Sequence, residues 1–298
     1  MLLEWTATAE EEGLLLRTFL KRKHISKLLL TAIKYHEGGR IAVNNATENV
    51  LYRVRSGDKV SVMLPEEKQN EQLIAEHTDL DIRYEDDFVI VLNKPAGMPS
   101  IPSQYHPTGS VANFIKGHYQ EQNLTNAVHI VTRLDRETSG LMLIAKTRFA
   151  HARLSSFLQK GALKRKYQAL TMGDLANKAG YIEAPIGRDS DISIMARKVT
   201  ETGKYAKTNY QVIASYPDFE HVDIQLETGR THQIRVHFSH IGHSLLGDDM
   251  YHGETSLIKR HALHSYHLHF IHPFTEEYLS FECELPEDME ELLRIWKK

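Results

Sequence analysis

The 298-residue chain has a single cysteine, Cys283, so it can form no internal disulfide and no cysteine cluster for zinc. A reducing cytoplasm is therefore the expected compartment. No apolar run approaches the roughly 20 residues that a membrane helix needs. Met1 to Glu12 is acidic and lacks the basic start and apolar core of a signal peptide. There is no Gly-rich phosphate loop, no H-E-x-x-H pattern, no internal repeat and no low-complexity tract. Net positive charge is also missing. The formal charge is −3, which argues weakly against a polyanionic partner for the chain as a whole.

What is present is an ordinary globular composition, 41% hydrophobic and 25% charged, in a chain long enough for a large domain plus a small one. The charge is unevenly placed. Leu14 to Leu64 holds ten basic residues, Lys27 and Arg40 among them, against only Glu37, Glu48 and Asp58. A basic head on an acidic body suggests an anionic partner for the head, with a solvated basic face as the plain alternative. Helical spacing of Leu16, Phe19 and Leu20, and of Leu29, Ala32 and Ile33, predicts two short helices. Ser26 would cap the second, and Gly38-Gly39 would stop it. Alternation over Arg40–Asn44 and Lys59–Leu64 predicts strands.

Residues 1–64 are thus expected to form a small α/β module, residues 65–79 a polar linker carrying it as a mobile tether, and residues 80–298 the main domain. Strands are predicted near residues 88–92, 129–133, 141–145, 166–171, 208–214, 221–226, 262–270 and 278–284. Helices are predicted over 148–159, 231–241 and 288–296. Many strands and few helices indicate an α+β fold, a mostly antiparallel mixed sheet with flanking helices.

Three segments concentrate chemistry. In Val131-Thr132-Arg133-Leu134-Asp135-Arg136-Glu137-Thr138-Ser139-Gly140, charged and turn residues stand between two apolar strands, a setting that holds polar side chains at the rim of a sheet. For an isolated R-x-D, a turn cap or a routine ion pair would be the better reading of Asp135. In Leu226 to His237, Thr231 could cap a helix with Ile234, Phe238 and Ile241 inward. Arg230 would sit at its mouth, suited to phosphate, and Arg235 could reach inward, where it would need a carboxylate, although taken alone a surface arginine is the better reading. In Lys164-Arg165-Lys166-Tyr167, a basic run enters a strand, and Tyr167 could face a base or simply pack in the sheet.

Together with Asn93-Lys94-Pro95-Ala96-Gly97-Met98, Met195-Ala196 through Gly203 to Thr208, and Leu246-Gly247-Asp248-Asp249, these segments resemble the RluA-type pseudouridine synthases from about Tyr84 to the C-terminus. The head, through Ser26-Lys27, Gly39 to Asn44 and Gly57 to Val60, resembles the small RNA-binding module of ribosomal proteins. The resemblance implies an isomerase that breaks the N1–C1′ bond of a uridine, turns the uracil and rejoins it through C5, with no cofactor and no metal. It implies that Asp135 is the essential carboxylate, acting at C1′ or C2′, and that Arg235 keeps it ionised. Tyr167 would stack on the target uracil and is a candidate for helping to remove the C5 proton. Arg133 would fill the gap left by the flipped base. Arg230, Lys164 and Lys166 are candidates for backbone contacts, and Lys27 and Arg40 would bind RNA from the head. Large-subunit ribosomal RNA is the expected substrate, transfer RNA the alternative, and a monomer is expected. In one departure from the family pattern, Thr132 stands where a histidine usually precedes R-L-D.

Two other readings are weighed. A metal-dependent hydrolase could draw on His261, His264, His267, His269 and His272, with His232 and His237 on the predicted helix, although on a strand only some of the tract share a face. A noncatalytic RNA-binding protein is the other, and the intact Asp135, Tyr167 and Arg235 argue against it.

Overall fold

The computed structural model describes residues 1–104, 106–189 and 195–296; the last two residues of the expected main domain lie outside them. The head contains β1 (Leu2–Thr6), α1 (Leu16–Arg22), α2 (Lys27–Tyr35), β2 (Arg40–Val43), β3 (Ala46–Thr47) and β4 (Lys59–Met63). Its antiparallel sheet runs in the order β1-β4-β2-β3. Both helices buried the residues that their spacing marked, and the Ser26 hydroxyl caps α2 by accepting Leu29 N–H at 3.1 Å.

The main body is built from β5 (Ile82–Glu85), β6 (Val89–Lys94), α3 (Val111–Glu121), β7 (His129–Ile130), β8 (Ser139–Ala145), α4 (Arg148–Gln159) and β9 (Lys164–Met172). It continues through β10 (Ala179–Glu183), β11 (Ile186–Arg188), β12 (Arg197–Val199), β13 (Lys207–Ser215), β14 (Phe219–Leu226), α5 (Gln233–His240), β15 (Leu263–Ile271), β16 (Tyr278–Glu282) and α6 (Glu287–Ile295). The large sheet runs β10-β13-β14-β9-β15-β8-β6-β5, with β16 beside β15 and β7 beside β8. Its pairs are antiparallel except β8 with β15, which run parallel through Ser139–His264 and Gly140–Ser265. The expected mostly antiparallel mixed sheet in an α+β fold is what the chain adopts. That parallel seam depends on a glycine. Gly140 has φ +112, and a methyl group there would stand 2.2 Å from the Ser265 carbonyl oxygen.

Strand alternation sorts the core into layers. Ile90, Leu92, Met142, Ile144, Tyr167, Ala169, Val222 and Ile224 face one side, under Val111, Ile115 and Tyr119 of α3 and Ile234 and Phe238 of α5. Val91, Leu143 and Phe270 face the other, under Ala150 and Leu154 of α4. Helix α3 is absent from the sequence-based expectation, although Ser110 caps it and its buried residues recur at i, i+4 and i+8. Gly117 weakens the helical signal there. The position excludes a side chain because the Glu76 carbonyl oxygen would stand 1.9 Å from a Cβ.

That contact belongs to the segment expected to be a mobile tether. Residues 65–79 contain no helix or strand, but they are fastened to the body. Glu67 accepts the Arg148 N–H at 2.6 Å and lies 2.6 Å from His129 Nε2. Lys116 donates to the carbonyls of Asn70 and Leu73, and Asn113 to that of Ile74. Composition marks a polar segment as unable to form a core. It does not say whether its polar groups meet water or protein. The head also packs against the body. Phe149 of α4 lies in the core of the head, and Phe88 stacks on Phe274 at 4.9 Å, with Trp5 5.8 Å from Phe274.

Candidate active site

The loop between β7 and β8 carries Asp135, and its backbone is held from three sides. Ser100 donates to the Leu134 carbonyl at 2.6 Å and accepts Leu134 N–H at 3.0 Å. The fully buried Lys94 ammonium donates to the carbonyls of Pro95 (2.8 Å), Met98 (2.7 Å) and Arg136 (3.0 Å). Arg260 donates to the Glu137 carbonyl through Nη1 at 3.0 Å while its Nε and Nη2 grip Asp288. Burial pushes the Lys94 pKa down to about 7, against the attraction of Glu137 and Asp135. Within the loop, Thr138 N–H closes a turn on the Asp135 carbonyl at 3.1 Å. Thr132, the departure from the family pattern, is buried and accepts Leu143 N–H through its hydroxyl at 2.8 Å, so it pins the loop to β8.

Arg235 reaches Asp135 from α5, with Nη1 3.2 Å from Oδ2. Its other two nitrogens, Nε and Nη2, each lie 2.8 Å from the carboxylate of Asp248, which is wholly buried. Burial opposes the arginine's charge. The bonds to Asp248 and the attraction of both carboxylates outweigh it and hold the guanidinium above its usual pKa range. The Tyr251 ring covers the guanidinium at 4.9 Å. The Tyr251 hydroxyl accepts Arg197 N–H at 2.9 Å and lies 2.8 Å from His232 Nδ1. His232 Nε2 in turn stands 3.8 Å from Asp135 Oδ2.

The start of α5 differs from the expectation. The helix begins at Gln233, and the residue before it is His232 in a left-handed conformation, φ +55, not a capping Thr231. Gln233 does the work a cap would do. Its Oε1 accepts from Arg230 N–H and the Thr228 hydroxyl, and its amide donates to the Lys207 carbonyl and Thr208. The backbone entering α5 is thus fixed by a residue inside the helix, and His232 is left free to turn toward Asp135.

Tyr167 lies in the core layer that also holds Leu134 and Ile234, the neighbours of Asp135 and Arg235 in sequence. Arg133 is exposed, and no carboxylate among the described residues lies within ion-pair distance of it. Glu137, which it could have neutralised, pairs with Arg136 at 3.3 Å. Arg230 is exposed and donates to the Tyr205 carbonyl at 2.9 Å. In the head, Lys27 is exposed at the start of α2, and Arg40 is tied to the β2–β3 hairpin through Thr47 and the Asn45 carbonyl.

Lys164 and Lys166 are not brought to this face. β9 pairs with β14 without a bulge, so alternation places Lys164 and Lys166 on one side and Arg165 and Tyr167 on the other. Arg165 is the basic residue beside Tyr167. A methyl group added to Gly229 would stand 2.9 Å from its Nη2, so the guanidinium lies against the 229–230 turn. Asp248, Tyr251, His232 and Lys94 were likewise not assigned as site residues. They converge only through contacts between distant parts of the chain. The histidines weighed as metal ligands have separate partners: His261 with Thr138, His264 with Ser139, His267 with Ser280, His269 stacked on Tyr278, and His272 with Asp86. Among the described residues, no group of three or more His, Cys, Asp or Glu is placed to hold one ion.

Residues 88–240 match the RNA pseudouridylate synthase family, and they span both the Asp135 loop and the Arg235 helix. The chain belongs to this family. It is 50% identical to the uncharacterized RNA pseudouridine synthase YjbO of Bacillus subtilis over 91% of this chain and 95% of that one. It is 38% identical to the ribosomal large subunit pseudouridine synthase D of Neisseria meningitidis serogroup A, over 86% of this chain and 72% of that one. The corresponding protein of Pseudomonas aeruginosa is 36% identical, over 87% of this chain and 85% of that one. The fold is similar to human RNA pseudouridylate synthase domain containing 4, with TM-score 0.58 and 24% identity over 72% of this chain and 92% of that one. The chain is therefore an isomerase acting on uridine in RNA. No helix among the described residues is long and apolar enough to cross a membrane.

Proposed function

We propose that this enzyme isomerises uridines of large-subunit ribosomal RNA in the cytoplasm, acting as a monomer, with Asp135 as the reacting carboxylate. The observation that carries the assignment of Asp135 is its pairing with a buried, doubly anchored Arg235 on the face that also buries Tyr167. Attack at C1′ and proton removal at C2′ both require a carboxylate held in one orientation, and the fixed guanidinium supplies it. One guanidinium shared by Asp135 and Asp248 leaves the trio with one net negative charge, so Asp135 is aimed without being fully neutralised. Tyr167 stacks on the uracil, and Arg133, exposed and with no carboxylate within ion-pair distance among the described residues, fills the vacated stack. Arg165 and Arg230 meet the backbone beside the target. Lys164 and Lys166, on the opposite face, bind more distant phosphates if the RNA wraps the edge of the sheet.

The names of the relatives from Neisseria and Pseudomonas support ribosomal RNA as the substrate. The basic head, with Lys27 and Arg40, supports a footprint that extends beyond the site. The test is to map pseudouridines in total RNA from cells with and without this gene. Loss at one or a few uridines of large-subunit ribosomal RNA is expected, restored by the wild-type gene and not by Asp135→Asn. Loss confined to transfer RNA would overturn the choice of substrate.

A further inference from the structure

We propose that His232 is a positioning residue for Asp135, held by Tyr251 in the neutral tautomer that carries its proton on Nε2. This rests on the assignment of Asp135 as the reacting carboxylate. The argument begins with Tyr251, whose side chain is buried and whose hydroxyl has one proton to give. That oxygen already accepts the Arg197 N–H, so its proton needs an acceptor elsewhere. Among the described residues, the atom within hydrogen-bond distance able to take it is His232 Nδ1, at 2.8 Å. A neutral imidazole that accepts at Nδ1 carries its hydrogen at Nε2. Nε2 is the nitrogen turned toward Asp135 Oδ2.

The surroundings keep the ring neutral. Burial lowers the His232 pKa, Arg235 and Arg197 lower it further, and the attraction of Asp135 and Asp248 works the other way. The left-handed backbone at His232 makes this orientation possible. It is a conformation that a histidine adopts at a cost, and such outliers recur at functional sites. At 3.8 Å the Nε2–Oδ2 contact is longer than a hydrogen bond. It becomes one when the target nucleotide seats Asp135, as catalytic contacts commonly tighten in the complex. Arg235 Nη1 and His232 Nε2 both address Oδ2, and no donor among the described residues addresses Oδ1. Two donors on one oxygen turn the other toward the sugar, so Oδ1 is the atom that reacts.

The test has an arm that needs no activity. Nitrogen-15 NMR of histidine-labelled protein reports the imidazole tautomer directly. The wild type should show His232 protonated at Nε2, and Tyr251→Phe should show a tautomer mixture at the same residue. An Nδ1-protonated ring in the wild type would overturn the proposal, whatever the enzyme's substrate. The second arm measures single-turnover conversion of an unmodified large-subunit ribosomal RNA transcript. His232→Ala and Tyr251→Phe should each slow it about tenfold, the rate equivalent of one lost hydrogen bond to a charged group, at unchanged RNA affinity. The double variant should be no slower than His232→Ala, and His232→Gln, which keeps a donor at that reach, should recover most of the rate. Additive losses, or a loss of RNA affinity with the rate at saturating RNA unchanged, would make His232 a structural or RNA-contact residue. Absence of any wild-type conversion would instead overturn the substrate reading, leaving the tautomer result to decide this one.

Discussion

Asp248 takes two of the three nitrogens of Arg235, at 2.8 Å each, and leaves one for Asp135 at 3.2 Å. The guanidinium is therefore a rigid bridge with its strong end anchored in the core and its weaker end presented to the Asp135 carboxylate. A lysine in its place could not span both partners. Arg235→Lys should lower the single-turnover rate by about 100-fold while the RNA still binds, since orientation is lost and phosphate contacts are not. Near-normal turnover in this variant would show that charge alone suffices.

Asp248 should matter more to folding than Asp135 does. Removing one partner of a buried pair leaves an uncompensated charge and costs about 3–5 kcal/mol. Asp248→Ala should show that loss in chemical denaturation. Asp135→Asn should lose much less, because Asp135 is partly exposed and Arg235 keeps its anchor. Asp135→Asn should abolish turnover with RNA affinity nearly intact. Equal destabilisation by the two variants would remove the distinction between anchor and reacting group.

Lys94 predicts a pH dependence of stability. Its pKa falls from 10.5 in the unfolded chain to about 7 in the fold, so between those values the unfolded state holds the extra proton. Stability from this group therefore rises as pH increases from about 7 toward 10.5, and is lost as pH falls through the folded pKa. Relative to Lys94→Met, the wild type should gain up to about 1.4 kcal/mol per pH unit between pH 7 and 9. A flat difference across that range would mean that the three carbonyl acceptors hold the ammonium charged throughout.

Arg133 should serve base extrusion more than bond cleavage. Arg133→Ala should severely impair conversion of structured RNA. It should be milder on an RNA whose target uridine is already unpaired, where the unstacking cost is smaller. Equal losses on the two RNAs would assign Arg133 to positioning.

The head should act through phosphate contacts, and it should be tested by charge rather than by removal. Deleting it would uncover Phe149, which is packed in its core, and a buried phenylalanine is worth roughly 2 kcal/mol. Lys27 is exposed at the start of α2, so Lys27→Glu leaves that packing alone. It should weaken binding to long ribosomal RNA and reduce the salt slope by about one. An unchanged slope would place the RNA elsewhere.

Much of this protein is written locally in its sequence. The helices of the head follow from apolar spacing and from Ser26, because a cap and a buried stripe are set within a few residues. The charge and turn residues around Asp135 mark a loop between strands for the same reason, whereas Arg235 on its own reads better as a surface arginine, and it is the buried Asp248 that draws it inward. What the sequence left undecided depends on contacts between residues far apart. Alternation says that Lys166 and Tyr167 face opposite ways, but only the packing of α5 over the sheet decides which side holds the site, and it selects Arg165 with Tyr167. The polar composition of residues 65–79 suits a free tether equally well, and docking against α3 and Arg148 makes it a strap. Local spacing does not bring Asp248, Tyr251 and His232 together. They meet because the chain after α5 returns to Arg235, so that one buried guanidinium needs a counter-charge and one phenol proton needs an acceptor.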